Sequence, residues 1–292
     1  MSELLGDNQW HIHHGDCIEH MATMPEKSID FSVFSPPFPS LFSYTSEACD
    51  IGNSEDLRGE AKIHLAFFYK QIARLIKPGR IVVVHVCQIP GLARNGEVGT
   101  FDFRGLNIRL AERAGLHYQY DWCVTKHPQA QAIRTHSHKL LFVTLERDRS
   151  ISCGAMPDYL IKFIAPGENK VAIESDEITR EEWIDWAEAA WTWHDIRETD
   201  TLNTKEAKGK DDVKHICPLQ LGVIRRLVTL YSNPGEIVFS PFAGIGSEGY
   251  VSLQLGRRFY GCELKDEYYR CAKKNLTGVV KKQADYAGSL FD

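Results

Sequence analysis

The chain alternates between two patterns of apolar residues. Short runs rich in valine, isoleucine and phenylalanine predict strands, whereas longer stretches with an apolar residue every three or four positions predict helices. The strands are predicted at 10–14, 29–34, 80–86, 117–125, 140–145, 158–164, 236–240 and 258–262. The helices are predicted at 17–24, 61–76, 105–114, 178–193, 218–231, 246–255 and 266–276. Strands that alternate with helices predict an open, doubly wound α/β sheet with helices on both faces.

The pattern changes between residues 165 and 214. This stretch is polar, carries a Trp-rich helical segment at 178–193 and ends in a charged run. It predicts a small lobe appended to the sheet, which divides the chain into 1–164, the lobe at 165–214, and 215–292. The tryptophans of the lobe have helical spacing, which favours a small hydrophobic core over an exposed stacking platform.

Composition limits the class of protein. The chain has 292 residues, of which 43% are hydrophobic and 25% charged, a globular mixture that excludes wholesale disorder and fibrous folds. No apolar run approaches the ~18 residues of a membrane-spanning helix, and the first residues lack the features of a secretion signal. The eight cysteines form no CxxC pair, which is typical of reduced thiols. We therefore expect a cytoplasmic protein.

A glycine loop follows the predicted strand at 236–240. Gly244 and Gly246 precede a predicted helix, and glycines at such a place let a ligand approach the backbone and the N–H groups of the helix start. Glu263, after the next strand, has the position where an acidic side chain binds ribose hydroxyls. Phe242, before the first glycine, favours a nucleoside without a diphosphate. The alternative is a plain strand-to-helix turn with an incidental acidic residue.

A second loop, Ser35-Pro36-Pro37-Phe38, follows the predicted strand at 29–34. Its two prolines stiffen the loop and remove two backbone donors, which leaves a hydroxyl, carbonyl acceptors and an aromatic face. This set suits a planar group with an exocyclic amine, because Ser35 and a proline carbonyl can accept the amine hydrogens while Phe38 stacks on the ring. The alternative is a rigid loop whose serine only caps the turn.

Together the two loops resemble those of the S-adenosylmethionine-dependent DNA amino-methyltransferases. In that family a Ser-Pro-Pro-Phe loop holds the target base and a Phe-x-Gly-x-Gly loop holds the methyl donor. The base loop comes first here, an order that resembles the permuted beta group. The resemblance implies an open, doubly wound mixed sheet of the methyltransferase type, with 165–214 as a target-recognition lobe.

The resemblance also assigns roles to single residues. It implies that Ser35, Pro36, Pro37 and Phe38 hold and activate the base. It implies that the donor is held by Asp16, Phe242, Gly244, Gly246 and Glu263, with Asp16 meeting the donor's adenine as part of His14-Gly15-Asp16. Ser240-Pro241-Phe242 departs from the family, which commonly has Asp-Pro-Phe. A carboxylate that the resemblance assigns to the methionine amino group is therefore missing at Ser240.

The activity that the resemblance implies is methyl transfer from S-adenosylmethionine to a base amine in double-stranded DNA. The serine form of the loop goes with cytosine N4 in the family, so cytosine is favoured, with adenine N6 as the alternative. The base must flip out of the duplex, which costs a few kcal/mol, and stacking on Phe38 returns part of that cost. Methylation of RNA or of a protein glutamine, and a DNA-binding module without catalysis, stay open as further alternatives.

Two basic runs are candidates for DNA contacts. Arg134 and Lys139 belong to the first, and Lys205, Lys208 and Lys210 to the second. Lysines suit phosphates, and arginine can also read base edges; the alternative is two solvated loops. The formal net charge of −5 argues weakly against a polyanionic partner, although local basic patches can outweigh the sum.

No metal site is predicted. His11, His13 and His14 stand near Cys17, but no second pair of ligands has a suitable spacing, so histidines at a strand edge are favoured. A homodimer and a cognate restriction endonuclease are partners that an enzyme of this kind, encoded by a bacterium or a phage, could have.

Overall fold

The computed structural model of the chain describes residues 4–39, 45, 49–54, 59–90, 99–135, 140–174, 177–205 and 218–289. Within these ranges the chain forms an eight-stranded sheet and a separate pair of two-residue strands. No helix in this part of the chain is both long enough and apolar enough to cross a membrane.

The sheet is mixed, and one strand runs against the rest. The strands are β1 (Trp10–His14), β2 (Ile29–Phe34), β3 (Ile76–Cys87), β4 (Ile89–Pro90), β5 (Thr100–Phe101), β6 (His117–Val124), β7 (Asp158–Ile164), β8 (Ala190–Trp191), β9 (Ile237–Ser240) and β10 (Arg258–Glu263). β4 and β5 pair with each other, and the main sheet has the order β1-β10-β9-β2-β3-β7-β6-β8. β7 is antiparallel to both of its neighbours, β3 and β6.

Helices cover both faces of this sheet. They are α1 (Cys17–Thr23), α2 (Glu60–Leu75), α3 (Phe103–Arg113), α4 (Pro128–Thr135), α5 (Phe142–Arg147), α6 (Arg180–Trp186), α7 (Leu221–Tyr231), α8 (Ser247–Gln254) and α9 (Asp266–Ser289). The apolar sides of α1, α2 and α3 fill one core, which includes Phe68 and Leu110. Those of α7, α8 and α9 fill the other, which includes Leu227 and Leu276. The predicted doubly wound α/β fold is confirmed.

The order of the strands reverses between β9 and β2. From β9 the chain crosses through α8 to β10 on one side, and from β2 it crosses through α2 to β3 on the other. The two strands pair directly, with Ser32 opposite Phe239, and the buried Ser32 hydroxyl donates to the Phe239 carbonyl at 2.9 Å. Such a reversal opens a crevice beyond the carboxyl ends of the strands, where α/β proteins bind ligands.

The strand predicted at 140–145 is wrong. This stretch enters helix α5, and Phe142 and Leu145 are 64% and 55% exposed. A short apolar run does not by itself distinguish a strand from a helix. Here β3 and β6 occupy both edges of β7, so the sheet leaves no position beside β7 for another strand.

The helix predicted at 178–193 is shorter than expected. A capping box formed by Thr179 and Glu182 starts α6, which ends at Trp186. The chain then turns and adds β8 to the edge of the main sheet, beside β6. The break falls within the Trp-rich stretch because its later part pairs with a strand instead of continuing the helix.

The tryptophans of this stretch divide between core and surface. Trp191 is buried, and its ring centroid lies 5.4 Å from that of Trp122 on β6, whereas Trp183 is 59% exposed. The buried tryptophan therefore joins the core of the sheet. The described residues at 177–205 pack in part on the sheet domain, and target recognition by this segment stays a prediction.

Candidate active site

Both predicted loops lie at one cleft beside the reversal between β9 and β2. The cleft is open to solvent, and the empty space in it and at its mouth amounts to about 1130 Å³. Eight of the residues predicted from the sequence line it: Asp16, Ser35, Pro36, Pro37, Phe38, Phe242, Gly244 and Glu263. The parallel strands deliver them there, since β1, β2, β9 and β10 end at the same edge of the sheet.

Gly244 presents its backbone to the cleft. Its φ of +52° lies in the left-handed region that favours glycine, and a Cβ placed on it would meet no atom within 4 Å. Because Gly244 also lines the cleft, a ligand can approach its main chain closely.

Gly246 and Gly249 serve packing. A Cβ on Gly246, whose φ is +84°, would lie 3.1 Å from the Cβ of Ala272 in α9. A Cβ on Gly249 would lie 2.6 Å from the Phe259 ring in β10. Gly249 completes a G-x-G-x-x-G spacing with the other two glycines, and here the second and third positions let α8 approach α9 and the sheet. Gly246 does not line the cleft, so its predicted contact with a donor stays a prediction.

Glu263 connects the end of β10 to the glycine loop. Its Oε2 accepts the Gly244 N–H at 2.7 Å, and its Oε1 accepts the Lys265 N–H at 2.9 Å. The side chain is buried, and this burial raises its pKa to about 7, although the two N–H groups act in the opposite direction. Each carboxylate oxygen can accept a second hydrogen bond, so the group can still bind hydroxyls in the cleft.

Glu248 is an acidic residue that the sequence analysis missed. It stands in the first turn of α8, is 5% exposed and lines the cleft. Burial, together with the nearby charge of Glu263, raises its pKa to about 8. The signal in the sequence was a glutamate two residues after the glycine pair. Ser240, which replaces the family's aspartate, is fully buried and does not line the cleft.

The cleft continues past the first strand. Asp16 caps α1, with its Oδ1 accepting the Ile18 N–H at 2.7 Å. Tyr268 of α9 lines the same cleft. Asp50 also lines it, from a stretch to which the sequence analysis assigned no role, and accepts the Gly52 N–H at 2.9 Å.

Two phenylalanines predicted at the site differ in their surroundings. Phe242 packs on the core, with its ring centroid 5.0 Å from that of Phe68 and 6.0 Å from that of Phe34. Phe38 is half-buried, lies 5.6 Å from Phe103 between ring centroids, and keeps part of its surface in the cleft. An aromatic side chain held in this way can offer a face to a planar ligand.

The hydroxyl of Ser35 has a partner that the sequence did not reveal. Its Oγ lies 2.6 Å from Nδ1 of His85, a residue near the end of β3. His85 Nε2 in turn lies 3.1 Å from Oδ2 of Asp158, the first residue of β7. The second oxygen of Asp158 accepts a hydrogen bond from Lys126 Nζ at 2.6 Å. Three strands therefore bring a serine, a histidine and an aspartate into one line.

Asp158 is the fixed charge of this line. It is 3% exposed, and burial alone would raise its pKa. The contacts of the carboxyl with His85 and with the Lys126 ammonium outweigh burial and lower its pKa to about 2. The carboxylate is therefore ionised at neutral pH and acts only as an acceptor.

The predicted DNA contacts lie largely outside the described residues. Lys139, Lys208 and Lys210 fall outside them, and Arg134 is described only through its backbone in α4. Lys205 is exposed at the end of a described range. These five residues stay predictions.

The histidines of β1 form a stacked group at the sheet edge. His13 stacks on His20 at 3.7 Å between ring centroids, and His20 Nε2 lies 2.9 Å from the Tyr260 hydroxyl. Burial, with the neighbouring histidines His13 and His11, lowers the pKa of His20 to about 4. In the part of the chain that the structure describes, no three His, Cys, Asp or Glu side chains form a group that could hold a metal ion.

A sequence profile of the DNA methylase family matches residues 29–274. This range contains the Ser35 loop, the whole of β3 and β7, and the glycine loop. The chain belongs to the DNA methylase family. The base loop precedes the glycine loop in this member, and assignment to the permuted beta group stays a prediction.

Curated relatives of this DNA methylase are bacterial. The type II methyltransferase M.BglI of Bacillus subtilis is 28% identical over 170 residues, 58% of this chain and 41% of the relative. M.BamHI of Bacillus amyloliquefaciens is 23% identical over 262 residues, 87% of this chain and 54% of the relative. The DNA adenine methyltransferase YhdJ of Escherichia coli is 39% identical over 54 residues, 18% of each chain. The chain spans about half or less of the length of these relatives.

Solved structures share the fold. TTHA0409 from Thermus thermophilus, complexed with S-adenosyl-L-methionine, gives a TM-score of 0.68 at 22% identity and covers 92% of this chain and 94% of its own. The cytosine-N4-specific PvuII DNA methyltransferase gives 0.67 at 18% identity, with 92% of this chain and 86% of its own. At these identities the likeness shows the architecture, and function has to be argued from the site.

Proposed function

We propose that this DNA methylase transfers the methyl group of S-adenosylmethionine to the exocyclic amine of a flipped base in double-stranded DNA, and that the base is cytosine, methylated at N4. The observation that supports this most is the single cleft that holds both the Ser35 loop and the glycine loop. A donor and an acceptor bound to neighbouring walls of one cleft meet the main requirement of the reaction, which is proximity and orientation.

The donor side of the cleft fits a nucleoside with an amino-acid tail. Glu263 keeps lone pairs for ribose hydroxyls. Asp16 and Tyr268 line the cleft and can border the adenine of the methyl donor. Among the described residues, no side chain covers the backbone of Gly244 on this side. S-adenosylmethionine supplies an electrophilic methyl group at this position. Glu248 provides the carboxyl group that Ser240 lacks, and an α-ammonium of the methionine part bound beside it in the cleft would favour its ionised form.

The acceptor side fits an amine on a planar ring. Ser35 Oγ and one proline carbonyl accept the two amine hydrogens, and Phe38 offers a face for stacking. Hydrogen bonds from the amine to these oxygens draw its lone pair out of conjugation with the ring. Serine in the first position of the loop favours cytosine over adenine. Adenine stays the alternative, because the relatives include the DNA adenine methyltransferase YhdJ.

The test is transfer of labelled methyl to plasmid DNA. The DNA is digested to deoxynucleosides, and mass spectrometry distinguishes N4-methyldeoxycytidine from N6-methyldeoxyadenosine. We expect N4-methyldeoxycytidine from the wild type and formation on the order of 100-fold slower from Ser35→Ala. N6-methyldeoxyadenosine alone would overturn the choice of base, and no incorporation into any DNA would overturn the proposed activity.

The remaining partners follow from the same proposal. Double-stranded DNA enters through the open side of the cleft, and Arg134, Lys139, Lys205, Lys208 and Lys210 contact it. The protein works in the cytoplasm of a bacterial cell, where its DNA substrate lies. A second copy of the chain and a cognate restriction endonuclease are partners to be tested by sedimentation and by co-purification.

A further inference from the structure

Side-chain contacts connect Ser35 to His85 and His85 to Asp158. Neither methyl-donor binding nor stacking of a base requires these contacts. The two contacts, 2.6 Å and 3.1 Å, join the loop after β2 to β3 and β7. The His85 side chain is 12% exposed and that of Asp158 is 4% exposed. The two groups therefore form a buried contact and not a surface ion pair. Lys126, from the segment after β6, fixes the outer oxygen of Asp158.

The charge of Asp158 favours one position for the proton of the His85 ring. Nε2 lies 3.1 Å from Asp158 Oδ2 without the alignment of a hydrogen bond, and because the ionised carboxylate can only accept, a proton on Nε2 is the arrangement that this contact favours. Nδ1 then has a free lone pair, and the Ser35 hydroxyl donates to it at 2.6 Å. The lone pairs of Ser35 Oγ are left to face the cleft, where they can accept a hydrogen from an amine.

We infer that His85 is the proton acceptor of the methyl transfer, acting through the hydroxyl of Ser35, and that Asp158 positions His85 and stabilises its protonated form. This rests on the proposed function, since it takes the base amine as the group that Ser35 meets. His85 is a positioning and proton-accepting residue behind Ser35, because the ring does not itself touch the base.

The proton and electron balance of the step is complete. The amine nitrogen forms its bond to the methyl carbon with its own lone pair, and the carbon–sulfur bond breaks with both electrons going to sulfur. The nitrogen becomes cationic and gives one hydrogen to Ser35 Oγ, while the Ser35 hydroxyl hydrogen moves to His85 Nδ1. The product amine is neutral, Ser35 is again a hydroxyl and His85 is an imidazolium beside Asp158. The imidazolium later returns its proton through the Ser35 hydroxyl, which lines the open cleft, to water.

The same three residue types hydrolyse esters and amides in other proteins, but this loop lacks a part that such chemistry needs. An acyl-transfer site stabilises the oxyanion with backbone N–H groups, one of which often follows the nucleophile. Pro36 and Pro37 follow Ser35, and proline has no N–H. The serine is therefore suited to pass a proton and poorly suited to attack a carbonyl.

Three other charged or titratable groups lie on or beside the strands that carry His85 and Asp158. Lys126 and His85 contact different oxygens of Asp158. The Lys126 charge therefore weakens the attraction between the carboxylate and an imidazolium at His85. Cys87 lies two residues along the same strand, and Lys162 of β7 pairs in register with Val83. Lys162 packs over Tyr231, with 4.6 Å from Nζ to the ring centroid.

The experiment compares His85→Asn with the wild type in single-turnover methyl transfer to a short duplex at saturating donor. Asparagine can still accept a hydrogen bond from Ser35 but cannot take up a proton. We expect the rate to fall about 100-fold, within the range for general base catalysis. The pH profile of the rate should differ between the wild type and His85→Asn, because asparagine cannot take up a proton. His117→Asn, an exposed histidine at the far end of β6, is the matched control with wild-type rates.

A second readout needs no donor and no DNA. In the nitrogen spectrum of histidine-labelled protein at neutral pH, His85 should show a protonated Nε2 and a hydrogen-bonded, unprotonated Nδ1, and Ser35→Ala should move the Nδ1 signal alone. A proton on Nδ1, or a His85→Asn rate within about twofold of the wild type with an unchanged pH profile, would overturn the inference. A wild-type protein that transfers no methyl to any DNA would instead overturn the proposed function and this inference with it.

Discussion

Oε2 of Glu263 accepts the backbone N–H of Gly244 at 2.7 Å. This bond connects the end of β10 to the loop that follows β9, so that one carboxylate both shapes the glycine loop and faces the cleft. An acidic residue at this place was predicted from the sequence as a ribose ligand. In the structure it also sets the geometry of the loop, because its other oxygen holds the N–H of Lys265.

Glu263→Gln should therefore affect the loop before it affects any ligand. Glutamine has an NH₂ group in place of one carboxylate oxygen. Either the Gly244 N–H or the Lys265 N–H then faces this NH₂ group and loses its hydrogen-bond acceptor. Leaving a buried donor unpaired costs about 1–3 kcal/mol. Thermal unfolding should show a lower midpoint, and calorimetry should show weaker binding of S-adenosylmethionine. Glu267→Gln, on the exposed start of α9, should change neither, and an unchanged midpoint for Glu263→Gln would contradict this role.

Glu248→Gln should weaken the binding of only those ligands that carry the amino-acid part of the methyl donor. If the carboxylate meets the α-ammonium, its neutralisation removes a charge-assisted hydrogen bond, which is worth about 1.5–3 kcal/mol or roughly tenfold or more in affinity. S-adenosyl-L-homocysteine should bind correspondingly more weakly, while 5′-methylthioadenosine, which lacks the amino acid, should bind as to the wild type. Equal losses for both ligands would assign Glu248 to loop structure. Glu188→Gln, an exposed site, is the control.

The two buried glutamates predict a pH dependence of stability. Burial raises the pKa of Glu248 to about 8 and that of Glu263 to about 7, from 4.5 in each case. Groups with raised folded-state pKa values favour folding below their ordinary pKa, and this contribution is lost as the pH rises through the folded values. The unfolding midpoint of the ligand-free protein should therefore decrease between pH ~5 and pH ~8.

The difference between variants isolates this effect. Glu248→Gln stays neutral at all pH values, so its midpoint should fall less steeply over the same range than that of the wild type. Glu188→Gln should follow the wild type. Parallel curves for Glu248→Gln and the wild type would show that Glu248 is not buried as the structure has it.

The two glycines of the loop should differ when changed to alanine. Gly246→Ala places a Cβ 3.1 Å from Ala272 at a φ of +84°, and strain and overpacking together should cost about 2 kcal/mol or more of unfolding free energy. Gly244→Ala should cost about 1–2 kcal/mol from its positive φ alone, but its methyl group would occupy the cleft. Denaturant unfolding and donor titration therefore should rank the two variants in opposite orders.

Ser35→Ala should reduce methyl transfer and leave donor binding intact. Removal of one group that stabilises a developing charge typically costs on the order of 100-fold in rate, and Ser35 is not on the donor side of the cleft. Single-turnover rates and calorimetry with S-adenosylmethionine would measure the two effects separately. Ser28→Ala, which removes a hydroxyl bonded to the Pro25 carbonyl away from the cleft, should keep the wild-type rate. Loss of donor affinity in Ser35→Ala would contradict the assignment.

Much of the strand and helix order was readable from local patterns. Strands at 10–14, 29–34 and 158–164 have the predicted bounds, because a proline or a glycine follows each of them within two residues and stops the pattern. The stretch at 140–145 has an equally apolar run and forms a helix. Local composition decides poorly where neighbouring strands already occupy the sheet, since that occupancy is a property of the whole fold.

The sequence by itself determined the two loops, their order and the kinds of atoms that they present, because a Ser-Pro-Pro-Phe turn and paired glycines act through local backbone chemistry. Only the tertiary structure decided what stands behind Ser35. His85 and Asp158 lie on other strands, and their distances to Ser35 and to each other depend on the register of β3 with β7 and on the pairing of β2 with β3. The same holds for Glu248, whose burial comes from the packing of α8 against the sheet and α9. The pairing of distant strands and the packing of helices set the positions of these residues, and the spacing of residues along the chain does not reveal them.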